Sequence, residues 1–180
     1  MTYKTHTKFG LFLYLIFIIY IGISIKVLPF ALISIFASLL PDIDHFKSFI
    51  SNKKVLMWCA FLIMFLLLEI DLYKILWIIA WYYLSKMSGH RNFSHSIFSI
   101  ILFFPVFYLT GTYVYFAIGY LSHLIADMIS VGVSLFYPLV KQRIGINLIK
   151  TDSFIEYVFG VLLIISIIIL IIIYIIPSFL

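Results

Sequence analysis

Residues 113–129 read Tyr-Val-Tyr-Phe-Ala-Ile-Gly-Tyr-Leu-Ser-His-Leu-Ile-Ala-Asp-Met-Ile, an apolar run long enough for a helix that nevertheless carries His123 and Asp127. Four residues apart on a helix, these two side chains lie one turn apart on the same face, where they can share an ion or hydrogen-bond each other. An Asp at the centre of a bilayer costs about 3 kcal/mol on the insertion scale, which argues against an idle pair in such a run. A His-Asp pair that merely locks two helices together is the alternative the sequence leaves open.

The rest of the chain supplies the membrane setting. Of 180 residues, 65% are hydrophobic and 11% charged, with a mean hydropathy of +1.22, whereas a soluble domain carries about 25% charged residues. The chain reads as an integral membrane protein, one all-α domain over residues 1–180 built as a polytopic transmembrane helical bundle. Working outward from residues 113–129, about seven hydrophobic segments follow from the pattern: Phe9–Ile25, Val27–Leu40, Val55–Leu68, Leu72–Leu84, Ile97–Leu109, Tyr113–Ile129 and Phe154–Ile176. Pro41 stops the second segment, whose reach of about 21 Å falls short of a hydrocarbon core of about 30 Å. It is either a thin span or a segment whose polar end sits below the membrane surface. Cys59 stands alone inside the third, so neither a disulfide framework nor a thiolate metal site is available.

The net charge of +5 does not mark a nucleic-acid binder, because the twelve Lys and Arg residues sit singly or in pairs between apolar runs. If all seven segments cross, Lys4, Lys8, Lys47, Lys53, Lys54, Lys86, Arg91, Lys141, Arg143 and Lys150 share one side, and only Lys26 and Lys74 face the other. The cation-rich side is then cytoplasmic, with the N-terminus on it. The same count gathers His6, Asp42, Asp44, His45, His90, His95, His123, Asp127 and Glu156 at that end.

Within this end, Asp42 and Asp44 flank Ile43 just after Pro41, where both carboxylates can turn toward one cation; a solvated turn is the equal alternative. Residues 88–96, Ser-Gly-His-Arg-Asn-Phe-Ser-His-Ser, are the densest polar stretch in the chain. His90 and His95 are five apart and would diverge on one helix, so Gly89, Asn92 and Ser94 point to a loop that enters a helix near Ser94, with His95 in its first turn. Arg91 offers the planar fork that suits a phosphate or carboxylate, although taken in isolation it reads first as a headgroup anchor.

Thr5-His6 with Gly10, Pro41-Asp42-Ile43-Asp44, His90-Arg91 with Ser94-His95-Ser96, Gly119-Tyr120-Leu121-Ser122-His123 with Asp127, and Leu135-Phe136-Tyr137-Pro138 occur in that order over nearly the whole chain. Together they resemble the YdjM-like family of predicted membrane-bound metal-dependent hydrolases, itself thought to be distantly similar to zinc-dependent phospholipase C. Two positions depart from the family pattern: Ser94 stands where threonine is frequent, and Thr151-Asp152-Ser153 stands where Thr-Gly-Ser is expected ahead of Glu156. The resemblance implies that His6, Asp42, Asp44, His90, His95, His123 and Asp127 are metal ligands. Imidazoles and carboxylates without thiolate suit zinc, with manganese or iron also fitting, and seven candidates allow more than one ion.

The resulting expectation is a multi-pass enzyme of the inner, cytoplasmic membrane that hydrolyses a phosphoester, a phospholipid among the candidates. Arg91 would stabilise the phosphoryl charge, and Asp44 or Asp127 would accept the proton from water. Membrane lipids and a divalent metal are its expected partners; no nucleic acid is. An intramembrane metal carrier or channel is the alternative of another class, and a non-catalytic scaffold a third. A carrier needs polar groups through the bilayer, and this chain concentrates them at one end.

Overall fold

The computed structural model describes residues 1–24, 26–45, 72–108 and 111–179. The expected segment Val55–Leu68, with Cys59, and the residues Lys47, Lys53, Lys54, Glu69 and Asp71 lie outside the described residues. Those described form six α-helices and no strand: α1 (Tyr3–Ile21), α2 (Ala31–Ala37), α3 (Leu72–Ser88), α4 (Ile97–Phe107), α5 (Tyr113–Ser130) and α6 (Phe154–Leu170). A π-helical turn at Ile171–Ile175 and a 3-10 turn at Pro177–Phe179 continue the last helix.

The all-helical expectation holds, but the count of spans does not. Among the described residues, two helices are long and apolar enough to cross a bilayer, α1 and the continuous run Phe154–Phe179, where the hydrophobic pattern suggested seven. The second segment is the clearest correction. Its regular helix is the seven residues of α2, because Pro29 and Pro41 each open a 3-10 turn, Leu28–Phe30 before it and Leu40–Asp44 after it. Proline fits the first position of such a turn, where its missing N–H breaks no bond, so Pro41 does not end the winding but carries it on to Asp44. α4 is apolar but only eleven residues long, and the His, Asp and Ser residues of α5 dilute its apolar character.

α1 also starts earlier than its apolar run. Thr2 is extended at its N-cap, and both its N–H and its Oγ1 donate to Glu156 Oε1, at 2.5 and 2.9 Å, so the polar residues Lys4, His6 and Lys8 are drawn into the helix. Gly22, at φ 101°, ends it.

α5 is the hub. α1 and α2 pack along it and against each other, α4 packs on another side, α6 lies against α1, and α3 against α4. Ile33, Phe36, Phe103, Phe107, Phe116 and Tyr120 fill the core around α5. Between helices in a bilayer water supplies no driving force, so association rests on close backbone packing of small residues. Gly119 shows how close: a Cβ placed on it would sit 2.0 Å from the Ser34 carbonyl oxygen of α2. On α1, a Cβ on Gly10 would meet Ser38 Cβ at 2.8 Å, and Ser34 Oγ donates to the Gly10 carbonyl at 3.3 Å.

Because the neighbour at Gly119 is backbone, even one methyl group must push α2 away. Gly119→Ala is expected to destabilise the protein by about 2 kcal/mol or more, read as a lowered midpoint of thermal unfolding in detergent. An unchanged midpoint would mean that α2 and α5 are not in backbone contact.

Candidate metal centre

Four elements bring side chains to one place. α5 contributes His123 and Asp127, the 3-10 turn after α2 contributes Asp42 and Asp44, and the loop before α4 contributes His90, Arg91 and His95. His6 comes from the first turns of α1. His6, Asp44, His95, His123 and Asp127 are buried. Six of the seven expected ligands fall into two groups whose ligand atoms lie within 4.8 Å of one another, Asp42 with His95, His123 and Asp127, and Asp44 with His90 and His95; His6 and Arg91 lie beside Asp127.

Four atoms converge most tightly. His95 Nε2 lies 3.2 Å from His123 Nε2, 3.6 Å from Asp42 Oδ1 and 3.7 Å from Asp127 Oδ2. His123 Nε2 lies 3.7 Å from Asp42 Oδ1 and 3.9 Å from Asp127 Oδ2. A tetrahedral ion with bonds of about 2.1 Å requires ligand atoms about 3.4 Å apart, and the five separations given lie within about half an ångström of that, the two imidazoles having to part slightly and the carboxylates to close in.

The hydrogen bonds behind the imidazoles fix their tautomers. His123 Nδ1 faces the Ser38 carbonyl at 2.7 Å and must donate to it. Ser94 Oγ donates to Asp44 Oδ2 at 2.6 Å, which leaves it to accept from His95 Nδ1 at 2.9 Å. With neutral rings, both Nε2 atoms then present lone pairs to each other and to two carboxylate oxygens, an arrangement that only a cation relieves. A proton can play that part: burial pushes the His95 pKa down, but Asp42, Asp44 and Asp127 outweigh it and hold it above its ordinary value. Burial likewise opposes ionisation of Asp42, and the imidazoles of His123, His95 and His6 overcome it, holding its carboxyl below the usual range.

Asp44 has a different part. Its Oδ1 is 2.8 Å from His90 Nδ1, and its Oδ2 accepts from Ser94 Oγ and, at 3.3 Å, from the Arg91 N–H. Burial pushes its carboxyl up, yet the His90 hydrogen bond, the neighbouring His95 and the Ser94 hydroxyl keep it below the usual range. Asp44, His90 and His95 form a second group close enough to hold an ion, but Asp44 is already satisfied on both oxygens and serves first to orient the loop.

His6 stacks on His123 with ring centroids 3.9 Å apart, and its Nε2 is 3.3 Å from Asp127 Oδ1, which also accepts from the Met1 amino group at 2.8 Å. Neither His6 ring nitrogen has a well-directed hydrogen bond, nor does Arg91 Nε, which is 3.5 Å from Asp127 Oδ2. Buried polar atoms without partners are rare, and two of these three, His6 Nε2 and Arg91 Nε, flank one carboxylate, which marks a place suited to a ligand. Arg91 also sits at φ 66°, a left-handed backbone that non-glycine residues adopt at a cost and that clusters at functional sites. The Ser134 N–H, bonded to the Arg91 carbonyl at 3.2 Å, helps hold it there.

Several supporting residues are silent in the apolar pattern. Trp81 Nε1 donates to Ser99 Oγ at 2.5 Å, Ser99 donates to the Tyr120 hydroxyl at 2.6 Å, and Tyr120 donates to the Ser94 carbonyl, a chain that ties α3, α4 and α5 to the His95 turn. That turn corrects the expected helix start: His95 lies in a 3-10 turn, Phe93–His95, and α4 begins at Ile97 with Ser96 as its N-cap, its Oγ accepting from the Ser99 N–H. Glu156 is a fastener between helices: Oε1 takes Thr2, Oε2 takes the Asp152 N–H at 2.8 Å, and the Glu156 N–H donates to Ser153 Oγ at 3.2 Å. The spacing Ser153-x-x-Glu156 is a helix-start signature that could have announced this. Asp152, at φ 60°, explains why glycine is the expected residue there.

The family model described as YdjM inner membrane protein matches residues 1–179. This chain belongs to the YdjM inner membrane protein family. The protein named inner membrane protein YdjM from Escherichia coli strain K12 is 31% identical to it over 115 residues, which are 58% of this chain and 47% of that protein. Its namesake in Shigella flexneri matches to the same extent. The chain thus spans about half the length of the curated relatives it matches. No solved structure matches it. The YdjM resemblance read from the motif order is borne out, and with it a helical membrane protein that gathers side chains able to hold a metal ion.

Tyr120→Phe removes the donor to a buried carbonyl without opening a cavity. It is expected to cost about 1–3 kcal/mol and to loosen the His95 turn, lowering metal affinity while leaving helix content intact. Circular dichroism paired with metal titration reads both; full metal affinity in the variant would exclude the Tyr120 chain as a support of the site.

Proposed function

We propose that this protein is a membrane-bound, metal-dependent hydrolase acting on a phosphoester, with Asp42, His95, His123 and Asp127 as the principal ligands and His6, Asp44 and His90 around them. The observation that carries this reading is the facing pair of imidazole lone pairs, closed in by two carboxylates. Zinc suits the donor set best, with manganese or iron also compatible. Four protein ligands alone would close a tetrahedral site, so with Asp127 turned away as the proton acceptor Asp42, His95 and His123 would hold the ion, which would supply Lewis-acid polarisation of a phosphoryl oxygen and acidify a water to a pKa of about 7.

The chain's own residues supply the rest. A cavity of about 710 Å³ opens beside the ligands, lined among others by Asp42, His90, Arg91 and Asp127. Arg91, its Nε not yet well bonded, reaches into this space as the group that meets the charge of a phosphoryl oxygen. Asp127 lines the cavity and Asp44 does not, which favours Asp127 as the acceptor of a proton from water and leaves Asp44 to position His90 and Ser94. A multi-pass arrangement with the site at the cytoplasmic face is favoured by Lys4 and Arg91, which line the cavity, and by Lys86, whose ammonium donates to the Asp44 carbonyl at 3.3 Å. A carrier would need polar groups through the membrane, whereas the ionisable cluster described here lies at one end.

Elemental analysis of the purified chain, with turnover of bis-p-nitrophenyl phosphate, tests the reading. Metal should be stoichiometric in the wild type and fall about tenfold or more in His95→Ala and His123→Ala. Arg91→Lys should keep the metal and lose about 100-fold in turnover. Unchanged metal in both histidine variants, or a loaded protein that cleaves no phosphoester, would overturn it.

A further inference from the structure

The polar ends of α1 and α6 leave a groove between them. It encloses about 280 Å³ and is lined among others by Lys8, Tyr157 and Gly160. Thr2, Lys4 and Asp152 border both this groove and the larger cavity beside the metal ligands, so the two are neighbours with a common wall. The two helices that form it are the two long and apolar enough to cross a bilayer, which sets the groove's mouth toward lipid.

Its chemistry is divided along its depth. Lys8 lies one turn, about 6 Å, further along α1 than Lys4. The absence of a side chain at Gly160 lets the Lys8 ammonium come close to the α6 backbone: a Cβ there would be 3.3 Å from Lys8 Nζ. Among the described residues neither Lys4 nor Lys8 is in an ion pair. Glu156, the nearest buried carboxylate in the groove, has its oxygens occupied by Thr2 and Asp152, and Asp152 stands at the outer rim. Further along the two helices, outside the groove's own lining, the surface turns apolar, with Ile16 of α1 at 42% and Ile164 of α6, one turn on from Gly160, at 41% exposure. Two cations at interface depth above a pair of exposed aliphatic faces complement an anion that carries hydrocarbon chains.

We propose that this groove seats a glycerophospholipid, with its phosphate against Lys8 and Lys4 and its acyl chains along α1 and α6, and that its phosphoester reaches the adjoining cavity sideways from the bilayer. The second clause rests on the hydrolase reading; the first does not. A phosphate in the groove exchanges water for two lysine ammonium groups at the edge of the low-dielectric region, where such contacts are least screened.

Native mass spectrometry of the full chain released from detergent, with dioleoyl phosphatidylethanolamine or dioleoylglycerol as the probe, tests the seat. The wild type should retain the phospholipid about tenfold better than the diacylglycerol, and inorganic phosphate should not displace it. Lys4→Ala with Lys8→Ala should abolish that preference, and Gly160→Leu should lower retention about tenfold by filling the groove against only the flexible end of Lys8. Lys141→Ala with Arg143→Ala, on the exposed connection between α5 and α6, should change nothing. Equal retention of both lipids, displacement by phosphate alone, unaltered retention in the groove variants, or equal loss in the connection variant would each overturn the proposal. If retention fails while metal and cleavage of the soluble phosphoester persist, the groove falls and the hydrolase stands. If the phospholipid is retained by a protein that holds no metal, the reverse is true.

Discussion

Two imidazole nitrogens, His95 Nε2 and His123 Nε2, face each other at 3.2 Å with their protons held on the opposite sides of their rings. Lone pair against lone pair is repulsive, and the carboxylate oxygens of Asp42 and Asp127 add to it. The rest of the site is arranged so that the pair cannot turn away. The Ser38 carbonyl pins one ring, and Ser94, itself pinned by Asp44, pins the other. The geometry is therefore complete only with a positive charge at its centre.

Holding that arrangement in an apolar chain sets demands on the fold. α5 must carry His123 and Asp127 at a depth where neither can escape to water, and α2 must approach closely enough for Ser38 to reach His123. Gly119 permits the approach, and Ser34 with Gly10 draws α1 into the same contact. The N-terminal turn of α1, which brings His6 over His123, is fastened by Glu156 from the start of α6. Loss of packing at Gly119 thus acts on the chemistry through Ser38, and loss of Glu156 through His6. The site and the helix packing are one mechanical unit, which fits the weak intrinsic drive for helices to associate in lipid.

Much of this was legible before any coordinates. The His123-x-x-x-Asp127 pair in an apolar run announced both a helix and a buried ionisable site, and α5 occupies residues within one of the expected bounds. Six of the seven expected ligands fall into the two groups that could hold an ion, and His6 stacks on one of them. What failed was the equation of each apolar stretch with a crossing: α2 is too short, because prolines at 29 and 41 favour tight turns at both ends, and apolar content alone cannot tell a packed segment from a spanning one. The helix expected to start near Ser94 begins about three residues later, at Ile97, because Ser94 and Ser96 are equally good caps in sequence and only the 3-10 turn Phe93–His95 separates them. The contributions of Ser38, Ser94, Ser99 and Tyr120 were not legible, because a serine that supports a ligand reads like any small residue. Glu156 was legible through Ser153, as a helix start and not as a ligand.

The central claim is that imidazole and carboxylate groups from three separate elements bind one cation. X-ray absorption at the metal edge of the zinc-loaded protein addresses it most directly. The account predicts a shell of about four nitrogen and oxygen neighbours at about 2.0–2.1 Å, with the outer scattering of two imidazole rings that disappears in part when His95 or His123 is replaced. A shell of oxygen alone, or one in which both replacements leave the imidazole signal intact, would contradict it.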